Sequence, residues 1–425
     1  MEVPRGLKTG CLGALAAAVL AVVLFVRWWT APIDIPRPQR PPEPADNAYE
    51  VYRSLAAYTA QMSRTDPWLS YAERGVFPTR FEVRTNLPEL HRYLLQKMAP
   101  VREEYRRYLH KPCTVIVEYS PDWQIPEIVE FRRWANVEAL DIALAAQEGD
   151  FDRAIDNYRT VLLLSEQIRR QGLIINYLVG LNMQEAVNRQ MARILHLLPA
   201  RACDRLVRAV REWEGKRVPV TEVLESERSA YLTNLHNLYE GKYSMRRLLS
   251  GWSPTVRWNP RWLNLRQAAR EGEAYYRQLE KEWRKPIVQQ KPVPPPEHRI
   301  FSLLGSVVEF VPSKSAWNTA RTRLLACAAA VRAYRLKNGT YPSTLQEAGV
   351  ADLNNDPFTG EQFVYKPAEG GFLLYSVGED GRDDGGWRAP ENVTKTGGDV
   401  ALIPYRGRPL TQGGRRERGE PVLLH

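Results

Sequence analysis

Hydrophobic side chains recur every three or four residues over much of the first 240 residues of this chain. Val51, Leu55 and Tyr58 show the spacing near the start, and it is clearest between residues 129 and 198. This period places apolar side chains on one face of an α-helix. The pattern predicts a helical domain over residues 46–240, arranged as a bundle or a short irregular solenoid.

One part of this region indicates how its helices connect. The run Glu148-Gly149-Asp150-Phe151 separates two helical patterns, and small apolar residues such as Ala154 follow it. The sequence around it resembles one hairpin of a tetratricopeptide repeat, in which small residues let antiparallel helices approach closely. No second copy follows at a 34-residue period. We therefore expect a single hairpin and no repeat array.

A further helical pattern lies near the C-terminal end and stops abruptly. Its apolar face is formed by Trp317, Ala320, Leu324, Cys327, Ala328, Val331 and Tyr334. Asn338 and Gly339 are the residue types that enter the left-handed conformation most easily, and Pro342 prevents the helix from resuming. The pattern predicts a short amphipathic helix that ends at Asn338-Gly339.

Two short strands are predicted after this helix. An Asp-Pro-Phe-Thr-Gly turn at residues 356–360 precedes apolar runs at 362–365 and 372–375, and Glu369-Gly370-Gly371 joins the two runs. Such a pattern is typical of a β-hairpin. Residues 299–405 are therefore expected to form a small α+β domain, followed by a tail at 406–425. The chain as a whole is expected to be mainly α.

The order of these motifs is similar to that in a known family. A helix, Asn-Gly-Thr-Tyr-Pro, Asp-Pro-Phe-Thr-Gly and Tyr-Ser-Val-Gly-Glu-Asp-Gly-x-Asp-Asp-Gly-Gly follow one another between residues 315 and 387. This order resembles the globular domain of the major pseudopilins of type II secretion, and a similar domain at the end of bacterial envelope proteins. The resemblance implies calcium binding after the second strand. The matching residues are Ser376, Asp380, Asp383 and Asp384, with Asp399 as a further candidate.

Calcium chemistry agrees with this expectation. Calcium takes six to eight hard oxygen ligands, and glycines between carboxylates let a tight loop turn its oxygens inward. The alternative is an exposed acidic turn in which aspartate and glycine serve only the turn.

Pseudopilins also begin with a prepilin-peptidase site, but here Gly10 is followed by Cys11 and Leu12, and the apolar segment contains no glutamate. Assembly into a pseudopilus is therefore not expected.

The N-terminal region predicts a membrane anchor. Eighteen residues without a charge, from Thr9 to Val26, are followed by Trp28 and Trp29. This length is close to the ~20 residues that cross a bilayer, and tryptophan is common at the interface. We expect a single transmembrane helix within residues 1–30 and a proline-rich stalk at 31–45. A cleaved signal peptide is the alternative.

The orientation of this span is not decided by flanking charge, since basic residues lie on both sides of it. By the family resemblance, we expect a single-pass protein of the bacterial cytoplasmic membrane with most of the chain outside the cytoplasm.

The connecting region, residues 241–298, begins with a basic and tryptophan-rich segment and ends in a proline-rich joint. The segment contains Arg246, Arg247, Trp252, Arg257, Trp258, Arg261, Trp262 and Arg266. Basic and aromatic residues of this kind can contact phosphates and stack on bases, or lie at an anionic membrane surface. They can also form an ordinary charged linker packed on the helical domain. Outside the cytoplasm, nucleic acid is the less favoured ligand.

Recognisable catalytic motifs are missing from the sequence. It contains no P-loop, G-x-G-x-x-G, G-x-S-x-G or H-E-x-x-H pattern, and the four cysteines form no C-x-x-C pair. Glu222, Glu225 and Glu227 share a helical stretch that is expected to be a solvated face. We expect a non-catalytic scaffold or accessory with protein partners in the envelope. The alternatives are an envelope hydrolase with carboxylates in the helical domain, and a protein that binds polyanions or nucleic acid through residues 241–270.

Overall fold

The fold is mainly helical with one small antiparallel sheet near the C-terminus, as the sequence predicts. The computed structural model describes residues 19–24, 35–38, 40–66, 69, 88–118, 125–242, 264–305, 308–386, 398–402 and 424. The principal helices are α1 (Ala48–Thr65), α2 (Pro88–Arg107), α3 (Glu127–Gln147), α4 (Phe151–Gln167), α5 (Ile174–Ile194), α6 (Ala200–Glu214), α7 (Val220–Tyr239), α8 (Leu265–Trp283), α9 (Arg299–Leu304) and α10 (Val311–Asn338). Short 3-10 turns occupy Leu195–Leu197, Ile287–Gln289 and Ala351–Leu353.

Local sequence signals set several helix ends. Gly149 has φ 75°, and the Asp150 side chain accepts a hydrogen bond from the Arg153 N–H at 3.1 Å, so the α3–α4 hairpin forms at the predicted place. Gly339 has φ 80° and ends α10. The predicted stop at Asn338-Gly339 is therefore confirmed.

Helices α1 to α6 pack around one apolar core. The ring of Trp134 on α3 stacks on Tyr105 of α2 at 5.2 Å between centroids, and it meets Phe131 edge-on at the same distance. The Trp134 indole N–H donates to Thr59 on α1 at 3.2 Å. Aromatic side chains thus join the first three helices, and the indole is buried without leaving its N–H unpaired.

Helix α10 crosses this core, and between residues 315 and 333 nearly all of its side chains are buried. It packs against α5 and α6, and the C-terminal residues cover its remaining surface. Five consecutive residues, from Leu325 to Ala329, are fully buried. The expectation of a short amphipathic helix is therefore wrong, since α10 has 28 residues and no solvent-facing stripe over this part. Small side chains here let the neighbouring elements approach from several directions.

The sheet of the C-terminal region has two strands, β1 (Val364–Ala368) and β2 (Gly371–Tyr375). They pair antiparallel with Val364 opposite Tyr375. Gly370, with φ 81°, supplies the turn between them, where a left-handed residue is needed. Isolated bridges join Phe372 to Leu424 and Ser376 to Val400. These later residues extend the sheet beyond its two strands.

A second apolar cluster lies at the start of α10. It contains residues of α7, α8 and α9, and the Phe301 ring contacts the rings of both Tyr231 and Tyr275. Tyr177 of α5 also belongs to it, and its hydroxyl lies 2.9 Å from the Ser315 hydroxyl of α10. Ile35, from the proline-rich stalk, is buried in the same cluster.

The described parts of both proline-rich stretches contact the folded body. Arg40 donates to the carbonyls of Val115 and Gln171, at 3.0 and 2.7 Å. In the later stretch, Val293 is buried and the Val288 N–H donates to the Phe358 carbonyl at 3.1 Å. These hydrogen bonds and the burial of Val293 attach the described parts of both proline-rich stretches to the folded body.

The predicted transmembrane span lies mostly outside the described residues. Residues 19–24, within it, are helical and their side chains are exposed. A search of the described ranges finds no helix that has both the length and the apolar character to cross a bilayer.

The close approach of α4 and α5 gives a test of the packing. A Cβ at Gly180 would lie 2.8 Å from the Ser165 carbonyl oxygen and 2.5 Å from Cγ of Arg169. Because backbone cannot move aside cheaply, Gly180→Ala should lower the free energy of unfolding by about 1–3 kcal/mol. Gly215→Ala is the matched control, since its Cβ would meet nothing closer than 3.7 Å. Equal urea midpoints for the two variants would contradict this packing.

Candidate functional site

The acidic loop that follows β2 is built on a bridge to a distant segment. Ser376 is buried, and its backbone exchanges hydrogen bonds with Val400 at 3.0 and 2.8 Å. Gly378 makes this approach possible, because a Cβ there would lie 2.3 Å from the Gly398 carbonyl oxygen. The bridge places Asp399 beside the loop, 15 positions after Asp384.

Asp399 is the most buried acid of this loop, with 2% of its surface exposed. Its carboxylate accepts hydrogen bonds from the N–H groups of Gly386, at 2.6 Å, and Asp384, at 3.4 Å. Burial is the main reason that the pKa of Asp399 is raised to about 7; these hydrogen bonds oppose the rise, and the charges of Asp383 and Asp384 add to it. Ionisation of the Asp399 carboxylate is therefore less favourable than that of an exposed aspartate.

The other predicted ligands have protein partners. Asp383 accepts from the Tyr375 hydroxyl at 2.7 Å and from the Gly385 N–H at 2.9 Å, and the first of these bonds is the main reason that its pKa is lowered. Asp380 is exposed and accepts from the Arg382 N–H at 3.1 Å. Local bonds of this kind are typical of aspartate in turns.

The start of the loop is held by Asp356, which the sequence indicated only as part of a turn. Asp356 is 1% exposed, and its carboxylate accepts from the N–H groups of Phe358 at 2.9 Å and Val377 at 3.2 Å. Burial raises its pKa above the ordinary value. The Asp-Pro-Phe-Thr-Gly turn thus fixes the position of the loop after β2.

The donor set suits calcium by chemistry, since it consists of carboxylate and hydroxyl oxygens. The Asp399 carboxylate meets the backbone N–H of Asp384, whereas the Asp380 carboxylate accepts from the backbone N–H of Arg382. Within the ranges that the structure describes, no three His, Cys, Asp or Glu side chains are grouped as metal ligands. The calcium site stays a prediction.

The predicted basic and tryptophan-rich surface falls almost wholly outside the described residues. The residues of this surface that lie outside the described ranges are Arg246, Arg247, Trp252, Arg257, Trp258, Arg261 and Trp262. Arg266 is described and lies, partly buried, in the first turn of α8. Binding of polyanions by this segment therefore also stays a prediction.

Buried ion clusters in the helical body were not found from the sequence. The Glu138 carboxylate on α3 is fully buried and accepts from Arg102 at 2.8 and 3.0 Å, from Arg106 at 2.7 Å and from the Tyr105 hydroxyl. Burial alone would raise the pKa of Glu138, but the charges and hydrogen bonds of Arg102 and Arg106 outweigh it, so the pKa is lowered. The only sequence signal is the four-residue spacing of the two arginines.

A second cluster lies between α4, α5 and α6. Glu166 accepts hydrogen bonds from Gln184 at 2.7 Å, from the Trp213 indole at 2.5 Å and from the Val218 N–H at 2.7 Å, and it pairs with Arg169. Each carboxylate oxygen therefore has a donor, which is what allows a charged group to remain buried.

A third cluster connects the helical body to the segment that carries Asp399. Arg321 of α10 is 1% exposed, pairs with Glu185 of α5 and donates to the Leu402 carbonyl at 3.2 Å. Its guanidinium also lies 4.8 Å from the centre of the Trp317 ring. One side chain thus holds α5, α10 and residues 398–402 together.

The glutamates expected on a solvated face of α7 have a different role. Glu227 is 4% exposed and accepts from the Ile174 N–H at 2.7 Å, while Glu222 accepts from the Gln171 N–H at 2.6 Å. They satisfy N–H groups at the start of α5, which has no side-chain cap of its own. The expectation of a solvated face is therefore wrong for these two residues.

Comparison with known proteins finds no family model, no curated protein and no solved structure that matches this chain.

The Glu138 cluster predicts a pH-dependent effect on stability. Because the folded pKa of Glu138 is lowered, its ionised form stabilises the protein above the ordinary value of 4.5, and this stability is lost as pH falls through the folded pKa. Glu138→Gln should reduce the free energy of unfolding by about 3 kcal/mol at pH 7, since it removes the buried anion that Arg102 and Arg106 share and leaves Arg102 with Asp141 alone. The deficit should narrow below pH 4.5 in urea titrations at several pH values.

Glu104→Gln is the matched control for this charge removal. Glu104 pairs with Arg107 at 2.8 Å on the surface, where such a pair is worth less than about 1 kcal/mol. A Glu138→Gln variant as stable at pH 7 as Glu104→Gln would show that the cluster does not stabilise the fold.

Proposed function

We propose that this protein is a membrane-anchored, non-catalytic scaffold of the bacterial envelope, with a rigid helical body and a calcium-dependent loop near its C-terminus. The observation that carries the proposal is the helical segment at residues 19–24. Its large apolar side chains, Val19, Leu20, Val22, Val23 and Leu24, are each 53–60% exposed. A continuous exposed apolar helix requires another apolar environment.

The bilayer is the environment that best fits this segment. It belongs to a run of uncharged residues from Thr9 to Val26, whose length approaches a bilayer crossing, with Trp28 and Trp29 directly after it. Placement of the body outside the cytoplasm, and in a bacterial envelope, derives from the resemblance of residues 315–387 to pseudopilin domains. Anchoring of the protein is thus supported by its apolar N-terminal run, and its location in the envelope by the resemblance.

The ionic clusters support a structural role for the helical body. A general acid usually needs a raised pKa and access to substrate. The pKa values of Glu138 and Glu214 are instead lowered by arginine partners, against the effect of burial, and Glu138 is closed off from solvent. These carboxylates stabilise one fixed arrangement of helices, which is the property that a scaffold needs.

Calcium would act at the acidic loop. The Asp399 carboxylate, with Asp384 next to it, is the natural centre, and Ser376, Asp380 and Asp383 are the remaining proposed donors. A divalent cation would offset the unfavourable charge of the buried Asp399 and hold the segment containing it against the loop. The proposed consequence is a C-terminal surface ordered for partner binding where calcium is plentiful.

Membrane fractionation tests the anchor. A charged residue near the centre of a bilayer costs about 2.5–3.5 kcal/mol, so Val19→Asp with Leu20→Asp, near the middle of the run from Thr9 to Val26, should move the protein from the carbonate-resistant membrane pellet to the supernatant. The control pair is Ile175→Asp with Leu197→Asp, which changes two apolar side chains of 42% and 47% exposure elsewhere. It should stay in the pellet. The anchor is wrong if the first pair also stays there.

Thermal melting tests the calcium loop in the full chain in detergent. Calcium at about 100 times its Kd would add about 2.7 kcal/mol, since it binds the folded state only. Tm should therefore rise by several degrees relative to chelator, and Asp399→Asn should abolish the rise. Glu369→Gln, which removes an exposed charge at the β1–β2 turn, should retain it. Identical melting with calcium and chelator would refute calcium binding.

A further inference from the structure

The described stalk residues fix the start of the body with three specific contacts. Ile35 is 4% exposed in the second apolar cluster, and Arg37 lies 3.5 Å from Glu240 at the end of α7. Arg40 donates to two backbone carbonyls, those of Val115 and Gln171. We call residues 35–38 with Arg40 the strap.

The strap is attached to a well-defined receptor. Gln171, whose carbonyl accepts from Arg40 at 2.7 Å, has φ 55°, a conformation that residues with a Cβ adopt uncommonly. Its N–H donates to Glu222 in the first turn of α7. Arg40 is therefore linked through Gln171 to the start of α7, while Arg37 pairs with Glu240 at its end.

Chain length limits how far the strap can lie from the bilayer. Nine residue steps separate Val26, the end of the predicted span, from Ile35, and they reach at most about 31 Å. The C-terminal end of α10 is far from the cluster that holds Ile35. Ser315 contacts the second cluster through Tyr177, and Lys337 lies 22 residues later on α10, or roughly 33 Å along the helix.

The charge of this end fits an anionic surface. The side chains of Arg37 and Lys242 are 75% and 61% exposed and share one acidic partner, Glu240. Basic residues held near a membrane are attracted by anionic headgroups.

We propose that the strap holds the C-terminal end of α7 against the anionic headgroups of the bilayer in which the chain is anchored. The inference rests on the proposed anchor. The body would then have a fixed orientation, with the end of α10 and the start of α6 pointing away from the membrane. That distal end is the part available to envelope partners.

Site-specific labelling tests this orientation in the full chain, reconstituted into vesicles of phosphatidylserine and phosphatidylcholine. Cys11→Ser removes the cysteine in the anchor. The other three are buried with pKa values raised to about 12, chiefly by burial, so they should not react under native conditions. A fluorophore is then placed at Asn237→Cys, in the last turn of α7, or at Lys337→Cys, and quenching by nitroxide headgroup lipids is measured.

We expect several-fold stronger quenching at position 237 than at 337, and less quenching at 237 in pure phosphatidylcholine. Arg40→Gln should reduce the difference between the two labels, whereas Arg107→Gln, a change in an exposed surface pair, should preserve it. The comparison of the two labels in a chain with Arg40 intact tests the orientation even if Arg40→Gln fails to fold.

Two negative results are distinguishable. A chain that does not float with the vesicles overturns the anchor and, with it, this inference. A chain that floats with equal quenching at both labels overturns only the orientation.

Discussion

Burial of the middle of α10, residues 315–333, is the constraint on which the rest of the structure depends. Helices α5 and α6 cover one side of α10, and the C-terminal sheet region covers another, so a single apolar core includes all of them. Arg321 reinforces this arrangement, since it joins Glu185 of α5 to the Leu402 carbonyl. The acidic loop is consequently positioned by the helical body, although Ser376 lies 136 residues after position 240, where the helical domain ends.

The same structure explains why charge is buried so extensively. Apolar packing is non-directional, whereas hydrogen-bonded ion pairs are directional and permit few alternative alignments of the helices. Glu138 aligns α2 with α3, and Glu166 aligns α4 with α5 and α6. In a scaffold, this fixed geometry would let the anchor, the strap and the acidic loop act at set distances from one another.

Features controlled by neighbouring residues could be predicted from the sequence. The stop at Gly339, the turn at Gly149 and the β1–β2 turn at Gly370 each depend on a left-handed residue next to a clear pattern. Contacts between residues far apart in the sequence could not be predicted, because the local spacing of residue types does not indicate which distant side chains meet. Arg321 meets Glu185 from 136 positions away, and Asp399 reaches the loop only through the bridge to Ser376.

Hydrogen exchange in increasing denaturant tests the shared core most directly. If α10 unites the helical body with the C-terminal region, amides of α5, α10 and β2 should open in one cooperative unit with the same free energy. The contrary result is exchange of the β2 amides from Gly371 to Tyr375 at clearly lower denaturant, while α5 and α10 remain protected. That would show two separately stable parts.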